Sequence, residues 1–495
     1  MSRSPGRGRW IPVALVATLA ALPLQGQLRL GPHASLSASL RLRYESWDWF
    51  DPGAVANGNN DYGFFAAQSH LVFQGDPARW LGVTADVQHT LWRGLPTDAN
   101  AAPPQGDLGL GAAYYGPHHE ADDSRVFVHQ AFATLRDPGH PATYLRAGRF
   151  EYLDGVEVLT GDPTLDWLKK NRLTARLVGT FGFSHVMRSF DGGTAALDRP
   201  GYNLTALAAH PRQGGFEING GKDVSAVDIA GLTLTVKPKA LGGATEGRLF
   251  YLYYGDDRSP ADGVVKADNR PAPVRAADSG SIGMSQLGGH LIHRARLGRS
   301  TADLLAWGVV QRGHWGTLDH RAWAGAVEAG VQPAGLPAKP WLRAGYFQGS
   351  GDGNNADGVH RTFFQSLTTV RLYAQFPFFN MMNNRDLFAQ LILRPVPNQL
   401  MLRADVHRLW LTNANDLWYV GSGVTQRQGS FGYGGRPSGG STDLGTLVDG
   451  SVTWIPTPRV TIYGYVGHAS GGKVVRQVYP TASGTFAYLE TSLKY

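Results

Sequence analysis

The chain has no cysteine among its 495 residues. That excludes a disulfide framework and every thiolate metal site. It also lacks any internal run of the roughly 18–20 apolar residues that a membrane-spanning helix needs. Mean hydropathy is −0.22, so a helical membrane bundle is excluded. Charge of one sign is scarce: 17% of residues are charged and the formal net charge is +7. So mild an imbalance gives no case for nucleic-acid binding. No Gly-x-Ser-x-Gly nucleophile elbow occurs. Gly432-Tyr433-Gly434-Gly435 does not lead from a strand into a helix, as a dinucleotide loop must. No internal repeat of fixed period is present.

What is present begins with an export signal. Arg3, Arg7 and Arg9 form a positive segment, Ile11 to Leu24 an apolar one too short to cross a bilayer, and small residues surround Gly26. This pattern predicts a signal peptide over 1–26 and a mature chain over 27–495; the alternative is a buried N-terminal helix. Loss of the three arginines takes the formal charge from +7 to +4.

Strict apolar/polar alternation is the dominant pattern downstream. Leu36, Ala38, Leu40, Leu42 and Tyr44 interleave with Ser35, Ser37, Ser39, Arg41, Arg43 and Glu45. That is about eleven residues of period two, the length of a tilted strand crossing a bilayer. Leu249, Tyr251 and Tyr253 repeat it around Arg248, and Leu342, Ala344 and Tyr346 around Arg343. Two further runs place Gln390 and Arg394, then Arg403, Asp405 and His407, between apolar neighbours.

The connections also alternate. Short Pro/Gly turns such as Asp76-Pro77-Ala78-Arg79 and Pro456-Thr457-Pro458 exchange with long polar stretches at 94–124, 152–177, 256–280, 350–385, 412–442 and 470–484. This predicts an all-β fold: a transmembrane antiparallel β-barrel of about 18 strands, with long extracellular loops and short periplasmic turns. One of the predicted strands is 178–190. A soluble sandwich or propeller would not give such long strands with sided loops. The final run, Ala487 to Tyr495, alternates to an aromatic end, like the signal that the outer-membrane assembly machinery reads.

Barrels of this size hold an aqueous channel. The polar set places Arg41, Arg43, Arg146, Arg248, Arg343, Arg394, Arg403 and Lys494 in the lumen, with fewer carboxylates, Glu45, Asp86, Asp405 and Glu490. Excess positive charge in a narrow pore concentrates anions, and guanidinium groups pair bidentately with carboxylates. Ladders with the lumenal carboxylates are the plainer role for some of these arginines. Ser350 to Gly358 resembles a calcium loop but lacks the terminal glutamate, and His118-His119-Glu120 has no matching ligands nearby. Both are expected to be surface, and no metal or cofactor is expected.

The stretch 145–193 carries Gly148-Arg149, Glu151, Gly155, Gly161-Asp162, Trp167 and Arg188-Ser189-Phe190-Asp191-Gly192 in order. Gly349-Ser350-Gly351-Asp352, Thr362-Phe363 and Asn384 to Asp386 follow in the C-terminal half. Order and spacing resemble the alginate-export family of outer-membrane barrels. Phe150 and Ser189 stand where that family usually has glutamine and threonine.

The resemblance implies a monomeric, anion-selective channel of 18 strands in a Gram-negative outer membrane. It passes an anionic polysaccharide such as alginate, or a smaller anionic solute, through an arginine-rich constriction. By position it implies Arg149, Arg172, Arg176 and Arg188 as constriction cations, braced by Asp162 and Asp191. No chemical step is expected. A barrel-borne hydrolase and a non-conducting adhesion or structural barrel are the alternatives.

Overall fold

Period-two alternation carries directly into a wall. In the computed structural model, which describes residues 27–368 and 370–495, eighteen long strands form one closed antiparallel barrel. They are β1 (Ala34–Asp48), β2 (Asp61–Ala78), β3 (Leu81–Arg93), β4 (Asp123–Arg136), β5 (Thr143–Phe150) and β6 (Phe190–Asp198). Next come β7 (Tyr202–Pro211), β8 (Val227–Val236), β9 (Thr245–Asp256), β10 (Ile282–Leu297), β11 (Ser300–Trp315) and β12 (Leu318–Gln332). The last are β13 (Trp341–Gly349), β14 (Asn384–Val396), β15 (Leu400–Leu411), β16 (Asp443–Thr457), β17 (Val460–Gly471) and β18 (Ser483–Lys494).

Each strand pairs with the next, and β1 closes on β18 from Ser39 opposite Lys494 to Asp48 opposite Thr485. Closure leaves no open edge, so the wall satisfies its own backbone groups, as a bilayer demands. The expected signal peptide, 1–26, lies outside the described residues.

One end carries the connections 79–80, 137–142, 199–201, 237–244, 298–299, 333–340, 397–399 and 458–459. The other carries 49–60, 94–122, 151–189, 212–226, 257–281, 350–383, 412–442 and 472–482, with 316–317 its one tight turn. The outward face is apolar: Leu71, Leu249, Leu287, Leu291, Val327 and Leu489 are 45–66% exposed. Left in water, each would forfeit about 1.5–3 kcal/mol, which lipid restores. Trp80, Tyr202 and Trp454 ring the short-turn end, and Tyr44, Tyr253, Trp323 and Tyr346 stand toward the other, as two interfacial belts.

The predicted strand 178–190 is corrected by the structure. The wall strand is β6, which starts at Phe190, while 178–189 runs inside the barrel. Val178, Phe181 and Val186 are at most 2% exposed, so this segment is covered on all sides. A wall strand must give one face to lipid. The alternating apolar residues of 178–190 imitate a strand, whereas Phe190-Asp191-Gly192-Gly193-Thr194-Ala195-Ala196 has the weak strand propensity of Gly and Ala.

Candidate functional site

The lumen is occupied by chain. After Phe150 the segment 151–189 leaves the long-connection end and descends through the barrel. Asp162 starts a six-residue helix, Pro163–Leu168, by accepting from Thr164 N and Leu165 N at 2.9 and 3.1 Å, with proline in the first turn. That is the chemistry of a helix start. The same carboxylate pairs with Arg294 of β10 at 2.7 Å, and Trp167 packs on Trp341 at 4.5 Å. Arg294 and Trp341 both lie near the short-turn ends of their strands, so the descent reaches that end.

The cations of this segment then meet carboxylates of the wall. Arg172 forms a bidentate pair with Glu328 of β12, at 2.8 and 3.1 Å, and lies between the rings of Tyr373 and Phe388. Arg176 reaches Glu328 at 3.4 Å and Tyr373 Oη at 2.8 Å. Arg343 joins from β13, bonding Asp303 and Glu328. Lys169 pairs with Glu246 at 2.5 Å, which also holds His290. Arg248 reaches Asp154 and Glu157 at 2.8 and 2.5 Å. Burial works against the Arg172 charge, but Glu328 outweighs it and holds its pKa above the usual arginine value. Burial pushes the Lys169 ammonium down, only partly offset by Glu246.

Arg188 sits apart from these. It is fully buried and donates to the carbonyls of Leu367 and Val424, tying three inward segments together. Burial lowers its pKa to about 10.

Arg149 and Asp191 pair with each other at 2.8 Å, and Asp191 also takes Arg212 at 2.6 Å. The rings of their strand neighbours Phe150 and Phe190 are wholly buried inside. By alternation Arg149 and Asp191 therefore lie on the outward side of the wall. The residues expected at one constriction are thus spread out. Arg172 and Arg176 meet, Arg188 lies among the connections, Asp162 sits near the short-turn end, and Arg149 with Asp191 faces away. The braces are Glu328, Asp303 and Glu246, which sequence reasoning missed; their one signal was a carboxylate on the inward parity of a strand.

The lumenal arginines are where alternation puts them. Arg41 donates to the carbonyls of Gly182 and Ser184, and Arg43 pairs with Glu490 and Glu45 beneath Phe183. Arg403 bonds Asp405 and Tyr373 O. Arg146 lies over Phe132 and Phe150, and Arg394 over Trp341. Lys494 ends β18 on the same face as Glu490. Among the described residues the spaces include a cavity of 410 Å³ against the descending segment, lined by Leu153, Lys170, Thr174, Phe183 and Arg371, and a vestibule of 690 Å³ among the long connections, lined by Gln105, Asp107, Gln426 and Arg436.

In the loop 350–358, Asp352 is 1% exposed and accepts from Asn354 N at 3.1 Å, and Asp357 pairs with Arg361 at 2.7 Å. His118 binds Glu217 at 2.5 Å. Serine–histidine contacts occur at His89–Ser124, Ser281–His314 and Ser483–His468. Among the described residues none of these histidines is hydrogen-bonded to a carboxylate, as a triad would require.

A closed eighteen-stranded barrel with an apolar outer belt and a polar, chain-constricted lumen is an outer-membrane channel for solutes. The chain belongs to the alginate export family, whose model matches residues 33–488, and it resides in the outer membrane of a Gram-negative bacterium. No curated protein sequence matches it. Among solved structures it is similar to the outer membrane protein OpdK from Pseudomonas aeruginosa, at 12% identity over 93% of this chain and 98% of that one, with a TM-score of 0.54. OccD3 (OpdP) of the same organism gives 12% over 97% and 96%, with 0.57. Its OccK2 (OpdF), solved with glucuronate, gives 10% over 95% and 99%, with 0.55. OpdK is also solved with vanillate. At such identities the likeness is one of fold.

Proposed function

We propose that the protein is a passive, anion-selective pore for carboxylate-bearing solutes, constricted by 151–189. The observation that carries this reading is an asymmetry of pairing. The inward carboxylates Glu45, Glu246, Asp303, Glu328 and Glu490 each hold an arginine or lysine. Arg146, Arg188 and Arg394 have no carboxylate partner among the described residues. Away from Asp86 and from the patch where Asp386, Asp405 and Asp449 share Arg403, the spare lumenal charge is therefore positive, and a narrow pore focuses its field on anions. Guanidinium groups suit carboxylates by geometry.

Vanillate and glucuronate, held by two barrels of similar fold, are both carboxylates and support this class. The family's name supports a uronate, and the 410 Å³ cavity favours a single sugar acid or small organic acid over a polymer strand. In this reading the long connections are extracellular, the short turns periplasmic and the barrel a monomer. The strand ending at Tyr495 addresses the assembly machinery.

Reversal potentials across a salt gradient in planar bilayers test the proposal. Anion selectivity is expected. The double substitution Arg146→Gln, Arg394→Gln should lower it, while Arg149→Gln, on the outward side, should leave it unchanged. Cation selectivity or absence of conductance would overturn the reading. The second outcome would favour a non-conducting barrel, to which the complete burial of Arg172, Arg176 and Arg188 lends support.

A further inference from the structure

The wall holds one cluster that solute passage does not use. Asp386 of β14, Asp405 and His407 of β15 and Asp449 of β16 all lie on the inward side, with Asp405 directly across the ladder from Asp449. Asp405, His407 and Asp449 each present a ligand atom, and these atoms lie within 4.8 Å of one another. The three residues are 3%, 1% and 6% exposed. Both oxygens of Asp386 stand 3.0 Å from His407 Nδ1. The other ring nitrogen, Nε2, is buried without a hydrogen-bond partner. Gln390 Oε1 is likewise unpartnered, while the Gln390 amide nitrogen donates to Asp405 at 2.7 Å.

Two physical costs coincide here. An orphaned buried acceptor or donor forfeits its hydration with nothing in return. The charges also do not balance. Three carboxylates crowd one arginine, Arg403, and like charges oppose one another wherever all three are ionised. Asp449 is otherwise contacted by the Tyr465 hydroxyl at 3.2 Å. A divalent cation resolves both, supplying the missing partner of Nε2 and two positive charges.

We propose that Asp405, His407 and Asp449 bind one divalent transition-metal ion, His407 through Nε2, with Zn²⁺ as the matching chemistry. Imidazole with two carboxylates suits zinc, whose ligands sit about 2.0–2.2 Å from the ion; calcium and magnesium favour all-oxygen sets of six or more. Asp386 orients the ring from behind, the usual carboxylate–histidine–metal arrangement. The ion ties β15 to β16. Through Asp449, the Tyr465 hydroxyl and the amide of Phe376, which donates to that hydroxyl at 3.1 Å, it also anchors the inward segment 350–383.

The test uses the full-length chain refolded into detergent with and without Zn²⁺, then desalted and assayed for bound metal. One zinc per chain is expected, with a raised thermal midpoint. His407→Ala should reduce bound zinc to background. Asp386→Asn should keep the site and weaken it about 10- to 100-fold. Co²⁺ as a spectroscopic substitute should show ligand-field bands distinct from the aqueous ion, and Asp449→Asn should change them even where His407→Ala does not refold. The proposal is overturned if wild-type chain retains no more zinc than His407→Ala. A Co²⁺ spectrum identical to that of the free ion overturns it too, leaving a carboxyl pair that shares a proton.

Discussion

Glu328 is 1% exposed and touches Arg172, Arg176 and Arg343. Breaking a buried ion pair from one side leaves uncompensated charge in a low-dielectric site, at about 3–5 kcal/mol. Glu328→Gln should therefore lower the unfolding free energy of the refolded barrel, measured by denaturant titration, by an amount in that range. Arg149→Gln, in a partly exposed pair, should shift it by less than about 1 kcal/mol. Equal midpoints for the two variants would remove Glu328 from this role. The arginines of 145–193 were legible in the sequence as a cationic cluster. Their counter-ion was not, because Glu328 lies far from them along the chain and is the single inward-facing acid of β12, whose other acid, Asp319, is exposed.

At the scale of the element, the descending segment 151–189 and the wall around it have different jobs. The wall's hydrogen bonds are complete without the segment, since β5 pairs with β6 from Thr143 opposite Leu197 to Phe150 opposite Phe190. Replacing 156–186 by a short Gly/Ser linker should leave the barrel folded and widen its lumen. Single-channel conductance should then rise roughly several-fold, as a channel of this strand number without an inner segment would allow. An unchanged conductance would mean that the segment is not the constriction.

Connections 94–122 and 212–226 are clamped to each other by His118 and Glu217. The hydrogen bond that the protonated His118 donates to Glu217 raises the His118 pKa above its ordinary value. A raised histidine pKa adds stability that is complete below the unfolded value near 6.5 and is lost as pH rises through the folded one. These two connections should thus become more protease-sensitive as pH is taken from 6 to 9, and Glu217→Gln should abolish that dependence. His118 is partly exposed, so the effect will be small. The segment's helix start, Asp162 before Pro163, was not legible in the sequence, where this stretch fits no regular element. Its return path reads there as a wall strand: Phe181 and Phe183 alternate as strand residues do, and only burial from every side separates 178–189 from a wall strand.

At the scale of the molecule, selectivity is a property of the summed field. The unpaired cations Arg146, Arg188 and Arg394 are distributed along the lumen, so their attraction for anions acts over a distance that salt screens. The Debye length falls from about 10 Å at 0.1 M to about 3 Å at 1 M. Anion preference measured by reversal potential should weaken across that range, and a preference independent of salt would point instead to a single tight binding site.

The sequence by itself determined the barrel, its approximate strand number, its lipid-facing and lumenal faces and its family, because a strand's side-chain period and a bilayer's thickness leave the pattern almost no other solution. The tertiary structure alone decided what fills the lumen. Which arginine meets which carboxylate, and which of Asp405, His407 and Asp449 converge, depends on closure of the ring and on an irregular segment packed against its whole inner height. Those contacts join residues far apart in the chain, and no local period encodes them.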